Sequence, residues 1–344
     1  AAILGVRVAT DGKVLDASSF RIADASDDQS IVDSSWSSPA VAFDGGSYVV
    51  AYAGDGTAEG GIPVSAIVAN AVDADANVGA PNALVVTAGI GMCRSTVGPP
   101  PAVAASPTAP IATLWPLHLA CAGGPMIDRL GGAFATRSGS TLGDVVSIDD
   151  LLPPIDPDPV QTSAPAVAAN ASATVAAWTQ SSVITGDTSV VAAILSESGV
   201  ERVTLATEGV DLSRPAIASD GDAFLVLWTT PAGAIQAARF QPGVAPPDGP
   251  AGFTVADGPV SGGKQVAFGG GRYLVVWTLD SEDGIALVSA EVSPAGEVGP
   301  ASTLATGLAS NEAVVAAADD VFLVPFLRSV GGGATSLRAL LVDR

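Results

Sequence analysis

Six times along the chain, a run of small and β-branched residues that opens at or near a proline passes through a Gly, Asp or Asn turn. It then enters a second apolar run that ends on an aromatic. The copies run from Pro39-Ala-Val-Ala-Phe to Tyr52, from Pro101-Ala-Val-Ala to Trp115 and from Pro165-Ala-Val-Ala to Trp178. They continue from Pro215-Ala-Ile-Ala to Trp228, from Gln265-Val-Ala-Phe to Trp277 and from Ala313-Val-Val-Ala to Phe326. Subtracting neighbouring positions spaces the closing aromatics by 63, 63, 50, 49 and 49 residues. A period near fifty that opens with two strands is the length of one small antiparallel sheet per repeat.

Local chemistry supports the hairpin. Between Ser38 and Tyr52 the alternation and β-branching favour strands, and Asp44-Gly45-Gly46 permits the positive φ values of a tight turn. A third strand follows in Gly61 to Asn70, Thr188 to Leu195, Ala234 to Phe240 and Ile285 to Val292. A turn such as Ser293-Pro-Ala-Gly296 then leads to a shorter fourth strand, for example Ala301 to Ala305. The second repeat is the least regular, with its third strand expected over Met126 to Thr136 and its fourth over Asp144 to Ile148. The predicted fold is all-β: one six-bladed β-propeller of four-stranded antiparallel blades over residues 1–344. Its blades fall near 38–91, 98–148, 163–206, 213–256, 261–306 and 311–344.

The first strand of each copy carries Ala and Val because the innermost strands of a ring crowd one another at its axis. Tyr52, Trp115, Trp178, Trp228, Trp277 and Phe326, at fixed repeat positions, are expected to pack between blades. Residues 1–22 resemble strands three and four of a blade without its hairpin, whereas the last repeat stops after a third strand over Ser336 to Val342. The ring is therefore expected to close by N-terminal strands joining the last blade, which removes exposed sheet edges. That arrangement leaves one third-strand equivalent over, in Ile3 to Val8, and a seventh, incomplete blade is the alternative.

With 48% hydrophobic and 14% charged residues, the chain has apolar surface enough for a core. No apolar run reaches the ~18 residues that span a bilayer as a helix, so membrane insertion is not expected. The opening Ala1-Ala-Ile-Leu-Gly lacks the layout of a signal peptide, and any such segment is expected to have been removed or to lie outside this sequence. The net charge is −21, and Lys13 and Lys264 are the only lysines. Such a field repels phosphate backbones and anionic lipid, so nucleic acid is excluded as a partner and a protein or a glycan is expected.

Cys93 and Cys121 are the only cysteines. If the second hairpin turns around Ser106 to Ala109, residues facing one another sum to about 215, and 93 plus 121 is 214. The arithmetic sets the pair side by side on adjacent antiparallel strands or their extensions, within disulfide reach. A disulfide places the chain in an oxidising compartment, hence secreted, cell-surface or periplasmic.

The pattern Pro-Ala-Val-Ala, Asp-Gly, Tyr-Leu-Val-Val-Trp resembles the hairpin repeat of secreted β-propellers from myxobacteria and related bacteria. The copies at Pro39 and Pro215 and the stretch Gly271-Arg-Tyr-Leu-Val-Val-Trp-Thr278 carry it best. This resemblance covers most of the chain and implies a scaffold only. A weaker likeness to TolB-type repeats rests on the proline and the Gly-containing turn. The sialidase Asp-box, Ser-x-Asp-x-Gly-x-x-Trp, is not reproduced, because Ser219-Asp-Gly-Asp222 has neither its order nor its tryptophan. The Tyr-Trp-Thr-Asp repeat of receptor propellers is not found either.

Catalytic patterns are mostly lacking. His118 is the only histidine, and no Gly-x-Ser-x-Gly elbow surrounds a serine. His118 sits in Trp115-Pro-Leu-His-Leu-Ala-Cys121, read as a loop fixed by the disulfide. Gly269 to Gly271 and Gly331 to Gly333 are turns, since neither precedes a helix as a phosphate cradle must.

Acidic clusters carry the functional signal. The loops from strand four to the next blade, and from strand two to strand three, share one face. They hold Asp24, Asp27, Asp28 and Asp33; Asp149, Asp150, Asp156 and Asp158; and Asp280, Glu282 and Asp283. Calcium, which takes six to eight oxygens, is the cofactor considered for such clusters and solvated loop charge is the alternative; Asp73-Ala-Asp75 and Asp156-Pro-Asp158 lack the rest of an EF-hand loop. Trp36, outside the repeat aromatic position, either contacts ligand or plugs the ring entrance. Ligand contact is assigned to Trp36, Asp27, Asp28, Asp33, Asp149, Asp150, Asp280 and Asp283. The leading reading is a non-catalytic binding module that uses this acidic face. The alternatives are a carbohydrate-active enzyme, glycoside hydrolase or lyase, with paired acids, and a structural unit of a larger surface assembly.

Overall fold

The computed structural model describes residues 2–24, 32–58, 62–88, 93–98, 100–121, 127–138, 141–148, 160–331 and 334–343. They form two compact units: Ala1–Arg7, Val14–Asp187 and Val191–Val203 in one, and Val8–Lys13, Thr188–Val190 and Thr204–Arg344 in the other. Among the described residues there are strands and turns and no helix, and the strands pair antiparallel in consecutive sheets, as a β-propeller requires.

In the first unit β1 (Ile3–Gly5) and β2 (Phe20–Ala23) pair with each other. The first repeat is a four-stranded sheet in chain order: β3 (Val32–Phe43), β4 (Ser47–Ala58), β5 (Ile62–Asp73) and β6 (Asn82–Ala88). In the second, β7 (Cys93–Val97) and β8 (Ala102–Ser106) both pair with β9 (Ala109–Cys121), followed by β10 (Ile127–Ser138) and β11 (Thr141–Ser147). In the third, β12 (Val160–Thr162) and β13 (Ala166–Ala169) share β14 (Thr174–Ser182), followed by β15 (Thr188–Ser196) and β16 (Gly199–Ala206). The division between the units falls inside β15 and β16.

The second unit continues the pattern. Repeat four is β17 (Ala216–Ser219), β18 (Phe224–Thr229), β19 (Ile235–Phe240) and β20 (Phe253–Ala256). Repeat five is β21 (Lys264–Gly269), β22 (Arg272–Ser281), β23 (Gly284–Val292) and β24 (Ser302–Leu308). The last repeat has β25 (Ala316–Ala318), β26 (Val321–Gly331) and β27 (Ala334–Val342), linked to repeat five by one bridge, Leu308 to Arg328.

An Asx side chain closes three of the first hairpins. Asp44 Oδ1 accepts from the amides of Gly46 and Ser47 at 2.9 and 2.8 Å. Asn170 does the same for Ser172 and Ala173, and Asp220 for Asp222 and Ala223. These bonds fix the turn locally. In the first unit the first strands, however, start upstream of their prolines. Near Pro165 the strand breaks into β12 and β13, and before Pro101 into β7 and β8; in β3 the register slips between Ser37 and Ala40. Proline has no amide hydrogen for the ladder, so pairing lapses there and resumes beyond it. The segment Trp115–Cys121, expected as a loop, is the continuation of β9 that receives β7.

The repeat aromatics pack toward the preceding sheet. Trp115 lies with Val49, Ala51 and Ile67 of repeat one, and Trp178 with Ala112, Leu114 and Phe134 of repeat two. In the second unit Trp277 meets Leu225 and Leu227, and Phe326 meets Leu274 and Leu287. Tyr52 packs on Ile3, Ile22 and Ala23, so β1 and β2 stand to repeat one as each blade stands to the next. Among the described residues the hydrogen bonds tie β1 to β2 in a two-stranded sheet and β27 to β26. The loop between β1 and β2 is locked onto their own pair and onto repeat one.

That lock occurs twice with the same nine-residue spacing. Arg7 donates from Nη2 to Asp16 Oδ1 at 2.7 Å and from its amide to Asp16 Oδ2 at 2.7 Å, while Nη1 reaches the carbonyl of Ala74 in the turn after β5. Arg239 donates from Nη2 to Asp248 Oδ1 at 2.5 Å and from its amide to Oδ2 at 2.7 Å, while Nη1 reaches the carbonyl of Ala295 in the turn after β23 at 2.6 Å. Each is a forked, charge-assisted contact that holds a third strand to its own loop and to the next sheet.

Candidate functional site

In the second unit the segments that enter β17, β21 and β25 lie at one end of their sheets, the end at which β22 turns into β23. Lys264, first residue of β21, faces Trp277 across the hairpin. It occupies the place that Pro215 holds in repeat four. Its side chain is buried, with 6% of the residue exposed, and Nζ donates to the Arg214 carbonyl at 2.9 Å.

The entering loop is clasped by the next repeat. The Asn311 carbonyl accepts from the Gly263 amide and from Thr278 Oγ1, each at 2.8 Å, and Asn311 Nδ2 donates to the Ser261 carbonyl at 3.3 Å. Gly262 is required here, because a Cβ would lie 2.1 Å from the Asn311 oxygen. These backbone bonds fix the point from which the Lys264 side chain departs.

Electrostatics at this mouth run against the charge of the whole chain. Burial lowers the Lys264 amine to about 8; the nearby Asp211 charge works against that shift and the Arg214 charge adds to it. Burial likewise lowers the Arg214 guanidinium, with Glu312 opposing. Desolvation leads in both cases, so each cation has less solvation than water would give it.

The acids singled out from the sequence are distributed differently. Asp280 and Asp283 flank and occupy the tight β22–β23 turn, and both are exposed to solvent with Glu282. Asp27, Asp28, Asp149 and Asp150 lie outside the described residues, as do Asp156 and Asp158. Asp33 and Trp36 fall in β3, with Trp36 opposite Gly54 in the backbone register. Among the described residues no group of three or more His, Cys, Asp or Glu is placed to hold a metal ion. Cys93 and Cys121 are direct register partners across β7 and β9, as the sequence arithmetic has it. His118, in β9, is half-buried and faces Thr96 and Asp128 in register.

Arg214 and Lys264 were missed by a search for acidic loops. The available signal was the lysine itself, one of two in the chain, standing where four repeats carry proline. In the first unit a cavity of about 310 Å³ is lined by Arg21, Tyr52, Asn70 and Gly79 among others. Its polar groups are engaged: Tyr52 Oη donates to Asn70 Oδ1 at 2.6 Å, Asn70 Nδ2 to the Gly79 carbonyl at 2.9 Å, and Arg21 pairs with Asp24.

The fold is that of a β-propeller. No protein-family model matches the chain, and no curated protein matches it in sequence. Among solved structures, the chain is similar to a sialidase from Trypanosoma rangeli in complex with sialic acid: TM-score 0.52, 12% identity, 98% of this chain and 56% of that one. It is also similar to a lectin from Burkholderia pseudomallei (TM-score 0.51, 14% identity, 90% and 97%). A third likeness is to a neuraminidase-like protein from A/bat/Guatemala (TM-score 0.50, 10% identity, 89% and 88%). The chain spans about half the length of the sialidase. At such identities the likeness is one of fold.

Proposed function

We propose that the chain is a secreted, bacterial, non-catalytic recognition module whose ligand is a glycan, bound at the loop mouth of the second unit. The observation that carries this reading is the break in the repeat at Lys264, which sets a buried cation beside Arg214 at the loop-bearing end of three consecutive sheets. A scaffold position held by proline in four other repeats gains nothing in stability from a desolvated amine, so a binding role accounts for it better than packing. The likeness in fold to a lectin and to sialidase-like proteins supports a saccharide over a protein ligand. The six repeats are read as a closed six-bladed ring.

A glycan array probed with the intact chain, first with calcium and then with chelator, tests the reading. Reproducible binding to a defined saccharide is the expected result, and silence in both conditions overturns it. Incubating any bound saccharide with the protein and looking for released sugar separates recognition from hydrolysis, and release would make the chain an enzyme.

The facing of Cys93 and Cys121 supports a disulfide and an extracellular or periplasmic location. Intact mass without reductant is expected to be two hydrogens below the dithiol mass. Reduction is expected to cost about 3 kcal/mol of stability, read by urea unfolding.

A further inference from the structure

We infer that the bare face of repeat one beside its first turn, together with the open edge of β1, is a docking site for a β-hairpin of small and aliphatic residues supplied by another polypeptide. Phe43 and Tyr48 are register partners next to the Asp44 turn, with ring centroids 5.0 Å apart. Val41, two residues before Phe43, lies on the same face of β3. Phe43, Tyr48 and Val41 are 53%, 39% and 62% exposed. Large apolar side chains bared together in this way mark a surface that binds.

The other repeats identify what is missing over them. Aligned on the closing aromatic, Tyr48 stands where repeats two to six carry Ile111, Thr174, Phe224, Tyr273 and Phe322, all of them buried. Tyr273 forms with Phe268 the same partner pair that Tyr48 forms with Phe43, yet it is 1% exposed. It packs with Leu225 and Leu227 on the second strand of the preceding sheet, and Phe322 packs in the same way with Leu274 and Val276. Repeat one has β1 and β2 in that place. They bury Tyr52 with Ile3 and Ile22, as a third and a fourth strand would, and leave the Tyr48 end of the same face bare. Among the described residues β1 pairs with β2 alone, so the edge that would receive a second strand is open.

Width and chemistry define the occupant. The vacancy is two strands wide, because β1 already holds the third place. A second copy of the chain would bring its last hairpin with β27 attached to β26, and β27 would claim the position of β1. A separate two-stranded hairpin meets no such obstacle. Main-chain bonds to β1 would set its register, and aliphatic residues at alternate positions would cover Phe43 and Tyr48. Val41, Phe43 and Tyr48 carry no charge, so a charged group placed against them would lose its water without gaining a partner.

The probe is a head-to-tail cyclised peptide of residues 213–231, which contains β17 and β18 of this chain, titrated calorimetrically into the full chain. Saturable binding is the expected result. Leu225→Ser with Leu227→Ser in the peptide should weaken it about tenfold or more, and Phe43→Ser with Tyr48→Ser in the chain should weaken it as much. Both aromatics are exposed, so that variant should keep its thermal midpoint. Amide exchange in β1 should slow when the peptide binds, because its open edge becomes paired.

No binding, equal binding of the serine peptide, or unchanged exchange in β1 overturns the site. Concentration-dependent self-association that Tyr48→Ser abolishes gives the face to a second copy, and a Tyr48 ring shielded from solvent in the free monomer gives it to the chain itself; either result overturns the proposal. If the double variant of the chain fails to fold, the serine peptide and the β1 exchange carry the decision.

Discussion

Lys264 makes stability depend on pH in a direction opposite to that of a paired surface lysine. Its folded amine titrates near 8, below the ~10.4 of an unfolded chain. Between those values the unfolded state binds the extra proton, so stability rises with pH across the window. Below about 8 both states are protonated and the burial cost, roughly 3 kcal/mol for a shift of this size, is fully present. Burial and Asp220 push the Tyr273 phenol up, so it stays neutral in the fold while the unfolded phenol ionises above ~10, and stability falls again there. Urea unfolding against pH should show this rise and fall. Lys264→Met should flatten the rise and gain about 1–3 kcal/mol at pH 7; an unaltered profile would mean that the amine is solvated. At the repeat tryptophans, Gly131 lies flat against Trp115, where a Cβ would come within 2.2 Å of Nε1, and Gly252 holds φ +65° beneath Trp228. Gly131→Ala and Gly252→Ala should each cost about 2 kcal/mol or more by overpacking and backbone strain, with a loss of near-ultraviolet tryptophan dichroism.

At the scale of the element, the two Arg–Asp locks convert a third strand into a tie. Asp248 is nearly buried and takes a forked guanidinium plus a backbone amide, so Asp248→Ala should cost the second unit about 2 kcal/mol. The Arg7 guanidinium holds the Asp16 carboxyl below the usual carboxylate range. Its contribution is present above the unfolded value near 4 and disappears as pH falls through the lower folded one. Amide exchange over 3–23 should accelerate in acid, and Asp16→Ala should produce the same acceleration at neutral pH. Sequence made the hairpins, third strands and aromatic positions legible, because alternation and Asx-Gly turns are local. It also set Cys93 opposite Cys121, since one turn fixes a register. It did not reveal that strands resume upstream of Pro101 and Pro165, nor that Arg7 ties the β1–β2 loop to repeat one. Those outcomes depend on a long second strand offering room beyond a proline and on a carbonyl 67 residues away. The Lys264 site was hidden for a similar reason: its partner is a backbone oxygen fifty residues earlier, a contact that leaves no motif.

At the scale of the whole molecule, a charge of −21 on 344 residues means mutual repulsion that ordinary salt attenuates. The thermal midpoint should therefore rise with sodium chloride from low ionic strength to about 0.5 M; a fall would show that short-range ion pairs such as Arg239–Asp248 dominate instead. Within that field four of the fourteen Lys and Arg residues sit where sheets meet: Arg7 and Arg239 reach the next turn, Lys264 reaches the preceding loop, and Arg272 lies over Phe322. What Arg7 and Arg239 ask of their neighbours is a backbone carbonyl, a group that every residue type supplies. A gene segment encoding one such repeat thus brings its own fastening when it is copied, and the residue it fastens to is free to change its side chain without losing that bond.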